Sequence, residues 1–388
     1  ETTPISSIIP VNILLSVYLV KFALLKEFQN YEQKLSFLME QEENIIVGIS
    51  IGDLNGIGGE IILKTFEDSR VLDFCTPVIF ASAKAMTFIK SHFKSQINFH
   101  NINNMSELAH GKVNVVNCWN ETVSIEFGKE DTKIGAFAIK SLELATKALK
   151  NDAINVLVTA PINKHNIQSE DFKFPGHTDY LAQELEGKSL MFMITDTLRV
   201  GLLTDHVPVK DVTTHITSEL IEQKIDTVYN SLKKDFKIQR PKIAVLGINP
   251  HTGDNGVIGS EDDDVLRPTL HKIKESGKLV YGPYAADSFF GSNNYKNFDA
   301  IIASYHDQGL IPFKTLSFGQ GVNYTAGLNK VRTSPDHGTA YEIAGKGVAD
   351  ENSFKEAVFS AIKIFRNRMS YQQLTANPLK KSPRKDRR

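Results

Sequence analysis

Cysteine is scarce in this chain, and so is any excess of charge of one sign. Only Cys75 and Cys118 occur among 388 residues, and their wide separation fits neither a disulfide framework nor a zinc ribbon. The formal net charge is −1, so nothing in the composition indicates nucleic acid or an anionic membrane as the partner. Scarce cysteine is typical of a reducing compartment, and we therefore expect a cytoplasmic protein.

Several short functional motifs are also missing. The sequence has no strict GxGxxG before a helix, no Walker GxxxxGK[ST] and no HExxH, so glycine and histidine spacing alone predicts neither a dinucleotide nor a metal. Internal repeats and long low-complexity segments are absent as well. What remains is ordinary globular composition, with 41% hydrophobic and 23% charged residues. The length favours two domains, or two lobes around a cleft.

The two ends of the chain differ from the rest. Residues 8–25 are apolar but interrupted by polar residues, and they could form a weak membrane segment or signal-peptide core, although their flanks do not suit a signal peptide. We interpret residues 1–38 as an N-terminal extension outside the globular part, and residues 376–388 as a basic, solvated tail. Neither end enters the functional argument, and no membrane partner is expected.

Between residues 45 and 370, apolar β-branched runs alternate with amphipathic stretches of helical period. This alternation predicts an α/β fold with a mostly parallel sheet. The predicted strands are 43–53, 154–166 and 242–250, and the predicted helices are 59–68, 136–153, 217–236 and 353–369.

Five apolar runs end in a cluster of polar residues: 49–56, 156–166, 200–210, 245–256 and 301–309. In open parallel sheets the ligand crevice lies beyond the carboxyl ends of the strands. If these runs are strands of one sheet, His206, His251 and His306 leave the core towards one cleft.

Three imidazoles that converge make a good site for Zn²⁺, Co²⁺, Fe²⁺ or a similar divalent ion, with positions left open for substrate. Asp287 and Asp307 could orient these histidines or act as acid–base groups. The alternative is that each histidine caps a loop or makes only local hydrogen bonds.

A further histidine lies in FPGHTDY (174–180), where His177 and Thr178 offer hydrogen-bond donors to an anion. The alternative is that Thr178 is an ordinary N-cap of a helix over 179–187. Both can hold, because a helix N-terminus is itself an anion site.

Lys314, in the loop expected after the strand at 301, together with Asn323 and Arg332, could hold a phosphate or a carboxylate. The alternative is surface charge. The glycines of FGQGVNYT (318–325) favour the first interpretation, because glycine permits close backbone approach.

Six segments resemble, in order and spacing, the 4-hydroxythreonine-4-phosphate dehydrogenase family. They are TAPINK (159–164), FPGHTDYLA (174–182), INPHTGDNGVIGSED (248–262), GPYAADSFF (282–290), YHDQGLIPFK (305–314) and GVNYTAGLNKVRTSPDHGTAYEIAGKG (321–347). The similarity covers residues 45–368. One departure is GDLNGIGGE, with Leu54 and Gly59 where the family usually has prolines.

The resemblance implies a fold of two α/β/α lobes with a central cleft, similar to isocitrate and isopropylmalate dehydrogenases. The first lobe would comprise residues 39–175 and 325–375, and the second 176–324. The resemblance also implies a homodimer with shared active sites, and NAD binding without a Rossmann fingerprint. The loop on the adenosine side of NAD would contain Asp336, His337, Gly338 and Thr339.

The resemblance also assigns roles to the candidate residues. Divalent metal (zinc, magnesium or cobalt) would be bound by His206, His251 and His306. Substrate would be bound by His177, Thr178, Lys314, Asn323 and Arg332. The implied reaction, part of vitamin B6 synthesis, oxidises and decarboxylates 4-phosphooxy-L-threonine to 3-amino-2-oxopropyl phosphate.

Three alternatives stay open at this point. The first is a sister dehydrogenase of a 4-phosphorylated sugar acid, D-threonate or D-erythronate 4-phosphate. The second is a metal-dependent phosphatase that uses the three histidines. The third is a non-catalytic binding protein, which we would expect to lack part of the histidine triad or of the anion site.

Overall fold

The computed structural model describes residues 44–170 and 172–378. The predicted extension at 1–38 and most of the predicted basic tail therefore lie outside the described residues. Within the described part, no helix combines the length and the apolar character needed to span a bilayer.

The described chain alternates strands and helices. The strands are β1 (Ile45–Ser50), β2 (Cys75–Ala81), β3 (Phe99–Ile102), β4 (Val113–Asn117), β5 (Val156–Thr159), β6 (Gly187–Ile194), β7 (Arg199–Leu202), β8 (Lys242–Leu246), β9 (Leu279–Tyr284), β10 (Ala300–Ala303), β11 (Val322–Leu328) and β12 (Val331–Pro335). The helices are α1 (Gly58–Glu67), α2 (Ala83–Phe93), α3 (Thr132–Lys150), α4 (His177–Glu184), α5 (Val212–His215), α6 (Ser218–Lys234), α7 (Arg267–Glu275), α8 (Ala286–Gly291), α9 (His306–Ser317) and α10 (Asn352–Ala376).

All these strands belong to one sheet, in the order β3-β4-β2-β1-β5-β12-β11-β6-β7-β10-β8-β9. Pairing is parallel at both ends, and the antiparallel pairs β12–β11, β11–β6 and β6–β7 lie in the middle. The predicted α/β class is confirmed. The partition into lobes at 39–175 with 325–375, and 176–324, stays a prediction.

The helix bounds agree with the sequence prediction to within a few residues, except that α10 continues to Ala376. The predicted strands were too long, because their polar continuations lie beyond the carboxyl ends of the strands. The loop expected around Lys314 was wrong: α9 begins directly at His306 and contains Pro312. The side chain of Gln308 anchors its first turn, accepting from the Ser304 amide at 2.7 Å and donating to the Gly247 carbonyl at 2.7 Å.

The two faces of β11 have different partners, and this alternation positions the site. Tyr324 is fully buried towards α6 and α10, and its hydroxyl donates to Asp235 at 2.6 Å. Its neighbours Asn323 and Thr325 face the other way, because successive strand residues point to opposite sides of a sheet. Thr325 contacts the buried Arg332 there.

Behind the sheet, a buried ionic network joins α6, β11 and α10. Asp235 accepts from Arg368 Nε at 2.7 Å, from the Tyr324 hydroxyl and from Ser231 at 2.6 Å. Arg368 also donates to the Leu328 carbonyl at 3.0 Å. Burial, together with the negative charge of Asp235, raises the pKa of Tyr324 well above its ordinary value.

Replacing Asp235 by asparagine should destabilise the protein by about 3–5 kcal/mol, because it leaves the Arg368 charge buried without its counter-ion. Asp226→Asn is the matched control, since it removes an exposed ion pair with Lys278 and should cost less than about 1 kcal/mol. Urea unfolding of both variants measures the difference. Equal losses would show that the network contributes no more than a surface ion pair.

Candidate active site

A cleft of about 320 Å³ lies over the central strands. Its walls come from the carboxyl end of β5, the start of α4, the strands β6, β11 and β12, and helix α9. Most of the predicted site residues line it: His177, Thr178, His206, His306, Lys314, Asn323, Arg332, Asp336, His337 and Gly338. Four predicted residues are not among the lining residues: His251, Asp287, Asp307 and Thr339.

His206 and His306 face each other across the cleft. Their ring centroids are 5.9 Å apart. Each histidine follows a strand, β7 or β10, and these strands pair in parallel with Val200 beside Ile301. The two histidines are close for the reason expected from the sequence, because neighbouring parallel strands end at the same edge of a sheet.

Asp307 contacts His306 rather than the cleft. The Nδ1 of His306 lies 2.7 Å from Asp307 Oδ1, an arrangement that orients an imidazole and leaves Nε2 available to a metal. The pair His206–His306 thus fits two ligands of a divalent ion. Within the described residues, however, no group of three histidine, cysteine, aspartate or glutamate side chains is placed to hold one.

His251 does not line the cleft with this pair. It follows β8, which neighbours β10 in the sheet, but the chain turns sharply there, with His251 at φ 52° and Thr252 at φ 56°. His251 is exposed. Asp287 is also exposed, in the first turn of α8, and no described contact connects it with the histidines.

Arg332 is the most deeply buried charge in the cleft. It is 2% exposed, and its guanidinium donates to Thr159 Oγ1 at 2.5 Å and to Thr325 Oγ1 at 3.2 Å. Its Nε has no partner, and no carboxylate of the described chain pairs with it. Burial lowers the pKa of Arg332 to about 9. A buried cation without a counter-ion is costly unless a ligand supplies the negative charge.

His177 lies beside Arg332 at the start of α4. Burial lowers its pKa well below the ordinary value, and the positive charges of Arg332 and Lys164 lower it further. Its Nε2 is buried without a partner among the residues that the structure describes. At neutral pH this imidazole is therefore uncharged, and it can donate or accept one hydrogen bond from a ligand.

The alternative role for Thr178 as N-cap was wrong. Helix α4 begins at His177, with Gly176 at the N-cap position and no side-chain cap. Thr178 is a residue of the first turn, because Gly176 adopts the extended cap conformation one step earlier than the sequence pattern suggested. The free amides of this turn remain available to an anion.

Lys314 and Asn323 approach the cleft from α9 and β11. Lys314 is exposed, and its Nζ donates to the Asp336 carbonyl at 3.1 Å. The Oδ1 of Asn323 is buried without a partner. Asn323 pairs with Met193 of β6 and with Ser334 of β12 in the sheet, so its backbone position is fixed while its amide stays free for a ligand.

Residues 336–339 run from the cleft towards the loop after β1. The Asp336 carboxylate accepts from Ser353 Oγ at 3.1 Å, and His337 Nε2 is buried without a partner. Thr339 lies at the far end, where its carbonyl accepts from the Ile57 amide at 3.1 Å. The Nδ1 of His337 lies 3.1 Å from the Gly338 carbonyl, and the remaining Nε2 beside the bare backbone of Gly338 fits the edge of a bound cofactor.

Some residues at or beside the cleft were missed from the sequence. Thr159 and Thr325 hold Arg332, and strand alternation could have placed both on the cleft face. Lys164 and Asp179 also line the cleft, and both stand inside segments that carried the resemblance, TAPINK and FPGHTDYLA.

A large mixed sheet with a cationic cleft at its centre is the architecture of an α/β enzyme for a small anionic molecule. Residues 73–361 match the family described as pyridoxal phosphate biosynthetic protein PdxA. The chain is 49% identical to a 4-hydroxythreonine-4-phosphate dehydrogenase of Bacteroides thetaiotaomicron, over 88% of this chain and 94% of that protein. It is 34% identical to a D-threonate 4-phosphate dehydrogenase of Cupriavidus necator, over 83% and 98%.

Solved structures agree with the sequence comparison. A crystal structure of a 4-hydroxythreonine-4-phosphate dehydrogenase from Burkholderia phymatum superposes with a TM-score of 0.69 at 33% identity, and covers 83% of this chain and 98% of that one. The chain belongs to the PdxA family, and it is an oxidoreductase. The resemblance read from the sequence motifs is confirmed.

Proposed function

We propose that this protein oxidises and decarboxylates 4-phosphooxy-L-threonine, with NAD and a divalent metal, to 3-amino-2-oxopropyl phosphate for pyridoxine 5'-phosphate synthesis. The observation that carries the proposal is the buried Arg332, which has no counter-ion among the described residues and lies in one cleft with the His206–His306 pair. A phosphorylated amino acid supplies the missing negative charge. The 49% identity to a relative named for this activity supports the same substrate.

The chain's own groups would bind and orient the two anionic ends of this substrate. Arg332 and the first turn of α4 would bind one end, and Lys314 with the amide of Asn323 would bind the other. Holding both ends fixes the C3 hydroxyl between them, towards the histidine pair. The uncharged His177 adds a hydrogen bond without repelling the neighbouring cations.

His206 and His306 would bind the metal, and residues 336–338 would border the nicotinamide cofactor. When bound, the metal would polarise the C3 oxygen and NAD would accept the hydride. Asp307 holds the His306 ring so that Nε2 points away from it. Asp287 stays a candidate for a proton relay, as the sequence suggested.

A homodimer with shared sites would supply the third metal ligand, His251 of the partner subunit. Large apolar side chains are exposed on the elements that carry the pair: Ile311, in the middle of α9, is 64% exposed, and Phe318, directly after α9, is 86% exposed. Val209, just after His206, is 77% exposed. Burial of such side chains against a second copy would favour association.

A reducing, cytoplasmic setting suits the thiols. Cys75 and Cys118 are both free, and burial raises the pKa of each to about 12. Thiols in this state resist oxidation and do not act as nucleophiles at neutral pH.

A second candidate function is the dehydrogenation of D-threonate or D-erythronate 4-phosphate. It is favoured by relatives named for D-threonate 4-phosphate, at 34% and 32% identity. These substrates keep the phosphate and carboxylate but carry a hydroxyl group at C2 in place of the ammonium group.

NADH absorbance with NAD⁺ and each substrate in turn tests the proposal. We expect kcat/KM for 4-phosphooxy-L-threonine to exceed that for either sugar acid by at least about tenfold, the effect of one unpaired polar group in a site. Exclusive use of a sugar acid would overturn the proposed substrate. Release of inorganic phosphate without any need for NAD⁺ would indicate the phosphatase instead.

A further inference from the structure

Two aspartates line the cleft, and only one of them has a carboxylate that accepts a hydrogen bond from a described residue. Asp336 accepts from the Ser353 hydroxyl and lies against Gly321, where a Cβ would be 2.2 Å from Asp336 Oδ2. Asp179 has no hydrogen bond or ion pair to any described residue, and it is exposed at the cleft wall.

Asp179 stands next to a region built for an anion. In helix α4 the first described backbone bond runs from the Tyr180 amide to the Gly176 carbonyl at 3.3 Å, so the amides of the preceding turn are free. Independently, Arg332, 2% exposed, presents an unpartnered Nε to the same cleft. Both features call for negative charge at this place.

The combination matches the head group of an α-amino acid. One helical turn is about 5.4 Å long. If the amides of the first turn bind the substrate carboxylate, the substituent at C2 of the substrate is therefore within reach of the Asp179 carboxylate. An ammonium group there would form a charge-assisted hydrogen bond with Asp179. A hydroxyl group at the same carbon would form only a neutral-donor bond, which is weaker.

We propose that Asp179 determines substrate specificity by reading the substituent at C2, and that it selects a phosphorylated amino acid over the corresponding phosphorylated hydroxy acid. This inference rests on the proposed function. It adds a residue that separates the two candidate substrate classes. Asp179 would bind the ammonium group at C2, whereas Arg332 and Lys314 would bind the phosphate and carboxylate that both classes share.

A structural role for Asp179 makes a different prediction. An aspartate in the first turn of a helix stabilises the helix through the macrodipole. Its loss would then weaken α4, and with it His177 and Thr178, for every substrate alike. The ratio of the two specificity constants would stay constant, whereas specificity for an ammonium group changes that ratio.

The test is Asp179→Asn, assayed by NADH absorbance with 4-phosphooxy-L-threonine and with D-threonate 4-phosphate. We expect kcat/KM for the amino acid to fall by roughly 10- to 100-fold, the loss of a hydrogen bond to a charged group. For the hydroxy acid we expect a change of less than about threefold, because asparagine still bonds a hydroxyl group. Asp179→Glu should retain most of the preference for the amino acid.

Glu184→Gln is the matched control, since Glu184 lies on the same helix but pairs with Lys150 outside the cleft. It should leave both constants unchanged. An equal fall for both substrates in Asp179→Asn, or no fall for the amino acid, would overturn the inference. Failure of the proposed function is a separate result, seen in the wild-type protein as turnover of the hydroxy acid alone.

Discussion

Replacing His306 by alanine should abolish metal binding and dehydrogenase activity together. The His206–His306 pair is the only pair of facing imidazoles in the cleft that the described residues form, and the two imidazoles left of the three proposed ligands would bind divalent ions only weakly. We expect at least about a 1,000-fold loss of kcat, the effect of losing Lewis-acid catalysis worth several kcal/mol. Metal content after dialysis, measured by mass spectrometry, provides a readout independent of turnover.

The control for this variant is His271→Ala, because His271 is exposed on α7 and pairs only with Glu275. It should retain metal and activity. Full turnover by a metal-free His306→Ala protein would contradict the proposed site.

Mixing inactive variants tests whether the sites are shared. If His251 of the partner subunit completes each site, a heterodimer of His251→Ala and His306→Ala subunits contains one intact site. Random exchange of subunits should then restore about a quarter of wild-type activity. Failure of any mixture to regain activity would place all ligands within one chain.

Replacing Arg332 by methionine should remove substrate binding while leaving the empty protein at least as stable. The guanidinium is held only by Thr159 and Thr325 and meets no described carboxylate, so the apo protein bears the cost of a buried, uncompensated cation. Removing it should raise the free energy of unfolding by up to about 1–4 kcal/mol. The same change should lower kcat/KM by roughly 100- to 1,000-fold, because the substrate anion is left unpaired.

Urea unfolding and substrate saturation, measured on the same preparation, separate these two effects. Arg267→Met is the control, since Arg267 is half exposed and pairs with Asp263; it should change neither quantity strongly. An Arg332→Met protein that binds substrate normally would show that the anion lies elsewhere. A large loss of stability would show that Arg332 serves the fold rather than the ligand.

Some of the site could be predicted from neighbouring residues alone. His206 and His306 each follow a buried apolar run, and parallel strands that pair side by side deliver such residues to one edge. His177 and Thr178 stand at a glycine-led helix start, which local pattern also indicates. The expectation that residues following neighbouring parallel strands meet at one edge was less useful for His251, since a left-handed turn after β8 redirects the chain.

The helical conformation of residues 306–317 was hidden from sequence reasoning. Gly309 and Pro312 discourage a helix in isolation, and the Gln308 side chain, which accepts from the nearby Ser304 amide and donates to the distant Gly247 carbonyl, counteracts that preference. Lys314 therefore reaches the cleft from a helix, fixed in direction by the turn that begins at His306.

The sequence by itself determined the α/β class, the family and the polar residues that end the strands, because periodicity and motif spacing are properties of neighbouring positions. Tertiary structure alone decided which of those residues meet. Strand β5 lies beside the β11–β12 hairpin, which is distant from it in sequence, and Arg332 is buried there between two threonines. The packing of these three strands buries the Arg332 guanidinium away from every described carboxylate, and for this reason we expect Arg332 to bind an anionic ligand.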